Sequence, residues 1–272
     1  MVTFGPGLGG LSSAGQLWER AGDRETVSSG WAALDGLLPG GGVRRGSLIE
    51  WLAGDAGTAA SGTGAATLAC TVACRLAATR RTGRGDPRGG LIVVVDRAGW
   101  FHPPAVLPWL GAGDAGAIRL VVARPSRDDD EIWTIEQALR CGGVAAVVAW
   151  PRLAAAWSPE RGTVVERRPA GRGGLQQWTT AMRRWHLAAR STGGVGLLVR
   201  APTALGEPSW AESRLVVSPL VGGGLLERRL QVARAGGGPG GAARVGDADA
   251  GVQATGRERP GGGAGQRRLA AE

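Results

Sequence analysis

Five short apolar runs set the terms for any fold of this chain: SLIEWLA (47–53), LIVVVD (91–96), IRLVVA (118–123), VAAVVAW (144–150) and GVGLLV (194–199). Each has the length of one strand and too little polarity to leave a face in water, so each must be covered on both sides. Helical spacing fills the intervals. Leu68, Val72 and Leu76 recur within 64–79, Ile132, Ile135 and Leu139 within 128–141, and Leu175, Trp178, Met182, Trp185 and Ala189 within 174–190. Strand and helix alternating in this way predict an α/β fold: a mostly parallel sheet with right-handed crossovers and helices on both faces. After residue 212 the pattern changes to SRLVVSPLVGGGLLERRLQVARA, which reads as two strands around a Gly-rich turn, an antiparallel C-terminal edge hairpin.

The chain has 272 residues, 43% of them hydrophobic, enough for one principal domain, placed at 28–233. Residues 1–27 form an N-terminal segment with one short helix, LSSAGQLWERAG, carrying Leu11, Leu17 and Trp18. Residues 234–272 are rich in Gly and Arg and poor in bulky apolar side chains, so a disordered low-complexity tail is expected. No apolar run approaches the roughly 20 residues that span a bilayer, and the first residues lack the basic start and apolar core of a signal peptide. A cytoplasmic protein with no membrane partner is the expectation. Cys70 and Cys74 stand one helical turn apart and Cys141 is separate, a pattern for packed thiols rather than a disulfide framework. Neither His102 nor His186 lies near a cysteine at zinc-ligand spacing, and no metal site is expected. The net charge of +9 is carried by Arg alone, since the chain has no Lys, Asn or Tyr. That bias reflects overall composition as much as selection for charge, and it leaves open a DNA-facing patch or a generally solvated basic surface.

Between the first apolar run and the first helix lies GDAGTAASGTGAATLAC (54–70), where a phosphate-cradling loop would sit. The pattern G-x-x-x-x-G-K-[ST] is met only by Gly57 and Gly62; Thr63 stands in place of the Lys and Gly64 in place of the magnesium-binding hydroxyl. A charge-assisted hydrogen bond contributes about 1.5–3 kcal/mol. Loss of the Lys therefore weakens triphosphate binding by roughly ten- to a hundred-fold. Backbone amides at the helix start would retain weak anion or nucleotide binding.

The stretch SSGWAALDGLLPGGGVRRGSLIEWLAG resembles the entry to the RecA-type ATPase core, in which TG…LD…LGGG…G leads into the first strand and the P-loop. The order of later segments follows the same progression, and RRWHLAAR…GGVGLLVRAP is similar to the ImuA family, RecA-like proteins of bacterial damage-induced mutagenesis operons. The resemblance covers residues 26 to 235. It implies a RecA-like fold and an accessory role in DNA repair by error-prone translesion synthesis under the SOS response. Its implied partners are a Y-family polymerase homologue and an error-prone C-family polymerase, with RecA and single-stranded DNA as further ones and a nucleoid association after damage. The same alignment keeps Asp96 but puts Ala98 where the catalytic Glu belongs, and Ala149 and Trp150 where the magnesium-shell Asp belongs. No catalytic residue and no cofactor are then expected, and the protein reads as an adaptor rather than an enzyme. The alternatives are a recombinase-like DNA-dependent ATPase or regulator with an unconventional loop, and an SOS cell-division inhibitor.

Asp96, Trp100, Phe101 and His102 follow a strand end, where ligand crevices of such sheets open, although the aromatics also suit packing under PPAVLPWL. RDDDE (127–131) resembles a metal cluster but better suits the positive end of a helix. No nucleophile elbow is present. Trp178 and Trp185 belong to a core stripe. Trp157 and Trp210, outside the periodic segments, are candidate exposed anchors, and Arg183, Arg184, Arg228 and Arg229 are candidate partner or DNA contacts beside them.

Overall fold

The structure, a computed structural model, describes residues 24–54, 63–80, 90–106, 118–151, 157–158, 163–164, 172–220, 227–235 and 241–246. In chain order the strands and helices are β1 (Thr26–Val27), α1 (Ala32–Asp35), β2 (Val43–Arg44), β3 (Leu48–Ala53), α2 (Ala65–Ala78), β4 (Leu91–Val95), β5 (Arg119–Ala123), α3 (Asp128–Arg140) and β6 (Val144–Ala149). There follow β7 (Trp157–Ser158), β8 (Thr163–Val164), α4 (Arg172–Thr192), β9 (Val195–Arg200), β10 (Ser213–Pro219), β11 (Arg228–Ala235) and β12 (Gly241–Val245). Short 3-10 turns occupy Pro103–Val106 and Pro202–Gly206.

All five apolar runs are strands of one eight-stranded sheet, ordered β12-β11-β10-β3-β9-β6-β4-β5. From β10 to β5 every neighbouring pair is parallel. Alternation along each strand divides the apolar side chains between two cores. Ile49, Trp51 and Leu197 meet Leu68, Val72 and Leu76 of α2 on one face. Leu48, Val147 and Leu198 meet Ile135 and Leu139 of α3 and Trp178, Met182 and Trp185 of α4 on the other. Helices thus cover both faces, as the periodicity requires. α3 begins with Asp128, Asp129 and Asp130 in its first turn, where carboxylates oppose the positive end of the helix dipole, and Asp128 pairs with Arg97.

The C-terminal region departs from expectation in two ways. β10 and β11 form the expected antiparallel hairpin, Val216 opposite Gln231, but β10 also pairs in parallel with β3, Ser213 opposite Ile49 through Val217 opposite Ala53, so the hairpin joins the parallel sheet through an interior strand. The tail also contributes structure: Gly241–Val245, placed at sequence level in a disordered segment, is the outermost strand, antiparallel to β11. The reason is local alternation. Ala243 and Val245 turn inward and are buried while Arg244 faces water, and the Trp31 indole Nε1 donates to the Gly246 carbonyl at 2.9 Å, tying the strand end to α1. Two small apolar side chains suffice at an edge that closes on an existing core. The rest of the expected tail, 247–272, and the expected helix near residues 11–22 lie outside the described residues.

Three charged side chains sit inside this sheet. Glu50, fully buried on β3, receives Nη1 of Arg200 (β9) at 2.6 Å and Nε of Arg214 (β10) at 2.6 Å. Arg200 also pairs with Glu207 and lies over the Trp178 ring, its Cζ 4.1 Å from the centroid. Arg214 donates further to the carbonyls of Ala204, Leu205 and Glu207. The cluster therefore fastens the 202–212 connection onto three adjacent strands, and its members neutralise one another away from water.

Candidate functional site

Two regions gather the residues singled out from the sequence. The first is the carboxyl edge of the parallel strands. β3 leads to α2 on one face, whereas β6, across β9 from it, leads to α4 on the opposite face, and in open sheets of this kind ligands bind outside the carboxyl ends of the strands. Among the described residues, the ends of β4 and β6 are occupied by the chain itself. Asp96, fully buried after β4, accepts hydrogen bonds from the backbone N–H of Trp100 at 3.0 Å and of Phe101 at 2.8 Å. Its two oxygens close their own loop. At the end of β6, Trp150 packs against Phe101 with ring centroids 6.3 Å apart. Phe101 is buried and His102 is exposed.

At the end of β3, the Gly54 N–H continues the sheet by donating to Val217 O at 2.7 Å. Gly57 and Gly62 lie outside the described residues. Thr63 is buried, and its Oγ1 accepts from the Ala65 N–H at 3.3 Å, using one of the amides at the start of α2 that a phosphate would otherwise take. Gly64 is left-handed (φ +84°) and crossed by the Arg228 side chain from β11: a Cβ on Gly64 would stand 2.6 Å from Arg228 Nε. The left-handed backbone there favours glycine. Arg228 thus lies over the start of α2 from the far side of β10, a placement that sequence spacing does not reveal. Its neighbour Arg229 is exposed opposite Ser218.

The second region is the outer side of α4 with the end of the 202–212 connection. Trp210 is 43% exposed, as an anchor should be, with Arg183 Cζ 5.8 Å from its ring centroid and the His186 ring at 6.2 Å. Burial, Arg190 and Arg24 hold the His186 imidazole below its ordinary pKa. Arg184 points the other way along the α3–α4 groove and pairs with the buried Glu136 at 2.5 Å, a carboxylate that Arg140 also holds at 2.6 Å. Trp157 falls in β7, opposite Val164, and its side chain lies outside the described residues.

No protein-family model matches the chain, and no curated protein is significantly similar to it. The site therefore has to be read from its own geometry.

Among the described residues no group of three or more His, Cys, Asp or Glu could hold a metal, and no helix is long and apolar enough to cross a membrane. Cys70 and Cys74 are buried thiols in α2, pushed up by burial to about 12 and about 11, and Cys141 is an exposed free thiol. Two features escaped the reading of the sequence. Trp133, 61% exposed on α3, borders a groove of about 460 Å³ that Glu136, Gln177 and Arg184 also line. Its position one residue after Ile132 already takes it off the buried stripe. Glu50, Arg200 and Arg214 were hidden inside apolar runs; a charge in a strand buried on both faces is itself the signal that a partner stands beside it.

Proposed function

We propose that this chain is a non-catalytic, RecA-like adaptor of the ImuA type, acting in damage-induced, error-prone translesion synthesis by binding a Y-family polymerase homologue. The observation that carries the non-catalytic part is the occupation of the strand ends. Asp96 spends both oxygens on its own loop, Trp150 and Phe101 stand together where a magnesium-shell carboxylate is required, and Thr63 Oγ1 takes up the Ala65 N–H at the start of α2. An adaptor needs a rigid frame and an exposed face, and the Glu50 cluster with the α4–Trp210 surface supplies both. The polymerase partner rests on the resemblance of RRWHLAAR…GGVGLLVRAP to the ImuA family.

The test is equilibrium binding of a fluorescent ATP analogue with magnesium, with and without single-stranded DNA, alongside co-purification with an inactive Y-family polymerase homologue. The adaptor reading expects no saturable nucleotide binding below millimolar concentration and stable capture of the homologue. A chain ending at Gly246 is the proper truncation for locating the contact, because removal of 213–272 would take out β10, β11 and β12 with it. Micromolar binding with turnover would sink the reading.

One observation favours a second reading. Arg228 brings a guanidinium to the start of α2, the place where the missing loop Lys would act. A nucleotide-binding regulator would use it there. In that case the analogue binds the wild-type chain and Arg228→Ala weakens it about tenfold, the value of one charge-assisted contact.

A further inference from the structure

α4 carries a stripe that core packing leaves unused. Trp178, Met182, Trp185 and Ala189 turn into the core, which faces Arg183, Leu187 and Arg190 outward, successive members one helical turn apart. Arg183 and His186 both flank Trp210, so the ring lies along the same stripe. Leu187 is 54% exposed and Trp210 43%.

The charge on this face is one-sided. The 21 residues of α4 include four Arg and no Asp or Glu. Arg24 adds a further cation close enough to act on His186 together with Arg190. The acid that faces them, Glu212, is already paired with Arg44 at 2.6 Å. Among the described residues neither Arg183 nor Arg190 has an ion-pair partner. An exposed leucine and an exposed indole set among guanidinium groups that outnumber the one acid beside them differ from a plain phosphate-binding surface, since a sugar-phosphate chain gains nothing by covering Leu187.

We propose that the Arg183–Leu187–Arg190 stripe and Trp210 capture an acidic, apolar segment of a partner protein. Seven residues of helix separate Arg183 from Arg190, about 10 Å. An extended peptide covers that distance in about three residues, so two carboxylates three positions apart would reach both guanidinium groups. A large apolar side chain between them would seat on Leu187 and Trp210. This deepens the adaptor reading by naming the chemistry of what the adaptor holds, and rests on it only in needing a protein partner.

The probe is a fluorescein-labelled peptide, Glu-Asp-Leu-Phe-Asp-Glu-Leu-Asp, titrated with the full chain by anisotropy at low and at about 0.15 M salt. Two control peptides replace its Leu and Phe by Ser, or its acids by Lys; an unlabelled oligo(dT) serves as competitor. Binding in the tens of micromolar is expected, weaker at the higher salt and at least fivefold weaker for the Ser control. Trp210→Ala is expected to lower affinity about tenfold. The double variant R183E/R190E is expected to lose the acidic peptide and bind the Lys peptide instead, a gain that an unfolded variant would not show. Equal binding of the Ser control, no binding by the wild-type chain, or displacement by oligo(dT) at lower concentration with the same Trp210 dependence would each overturn the proposal, the last in favour of a nucleic-acid face. The ATP titration is independent of all these outcomes, so failure here leaves the non-catalytic reading to stand or fall by itself.

Discussion

Replacing Glu50 by Gln keeps the shape of the side chain and removes its charge, which isolates the electrostatic share of the buried cluster. Glu50 is fully buried and the Arg200 and Arg214 side chains are only 2% and 8% exposed, so solvent does not screen them. In E50Q two guanidinium groups remain in the sheet with one carboxylate, Glu207, at 22% exposure. Breaking a buried pair by removing one partner costs about 3–5 kcal/mol. For a domain of this size about 1 kcal/mol corresponds to roughly 2–4 °C, so the melting temperature should fall by about 6–20 °C. Circular dichroism melts and urea unfolding measure it, with the urea m-value unchanged if only the folded state is affected. An E50Q loss below about 1 kcal/mol would refute the view that mutual neutralisation holds these strands and the 202–212 connection together.

His186 provides a pH test. Its folded pKa lies below the ordinary value near 6.5, through burial first and then Arg190 and Arg24, so the unfolded chain binds the proton more readily and stability is lost as pH falls through that value. Glu212 opposes this: burial raises its pKa above the ordinary carboxylate value, against the pull of Arg44, Arg24 and Arg190, so its protonation on acidification favours the folded state. The difference in unfolding free energy between wild type and H186Q, taken from urea melts at pH 7.5, 6 and 5, removes the Glu212 contribution and should shrink steadily toward acid. A constant difference would contradict the burial account. The thiols give a second check. At pH 8 the Cys70 and Cys74 thiols, raised to about 12 and about 11, should resist iodoacetamide in the folded chain while exposed Cys141 reacts, as read by peptide mass spectrometry. Alkylation of all three at similar rates would mean that α2 opens readily.

How much the sequence revealed follows from the range of each interaction. The strands at 47–53, 91–96, 118–123, 144–150 and 194–199 are legible because each carries its own evidence, an apolar run of strand length, and the three main helices because their core spacing is local. The exposure of Trp210 was legible for the opposite reason: it breaks no periodicity because it belongs to none. What stayed hidden is what pairing decides. That β10 lies beside β3 depends on which strand the chain crosses after β9, and nothing within Ser213–Pro219 records it. Gly241–Val245 looks like tail because its two inward residues, Ala243 and Val245, are small; only an existing edge at β11 makes them sufficient. Arg228 over Gly64 spans 164 positions and two strands, beyond any reading of spacing.

The two regions behave differently because the sheet treats its ends and its faces differently. At the end of β4 the carboxylate that chemistry would need, Asp96, has its partners within the chain, and it cannot serve a ligand without first giving up a buried hydrogen bond. On the outer side of α4, Arg183 and Arg190 have no ion-pair partner among the described residues, and the ring beside them is held from below. Arg214 grips the carbonyls of Ala204, Leu205 and Glu207, Arg200 grips Glu207, and the connection so fixed ends at Trp210 and Glu212 before entering β10. The Glu50 cluster and the exposed stripe are therefore mechanically linked: the charges buried in the sheet set the position of the aromatic at its surface. E50Q should accordingly weaken the acidic peptide even at temperatures where the variant is fully folded, whereas a substitution of similar stability cost in the α2 core, such as Leu76→Ala, should leave the peptide affinity unchanged. If both variants, matched for folded fraction, lose the peptide equally, the connection is not what positions Trp210.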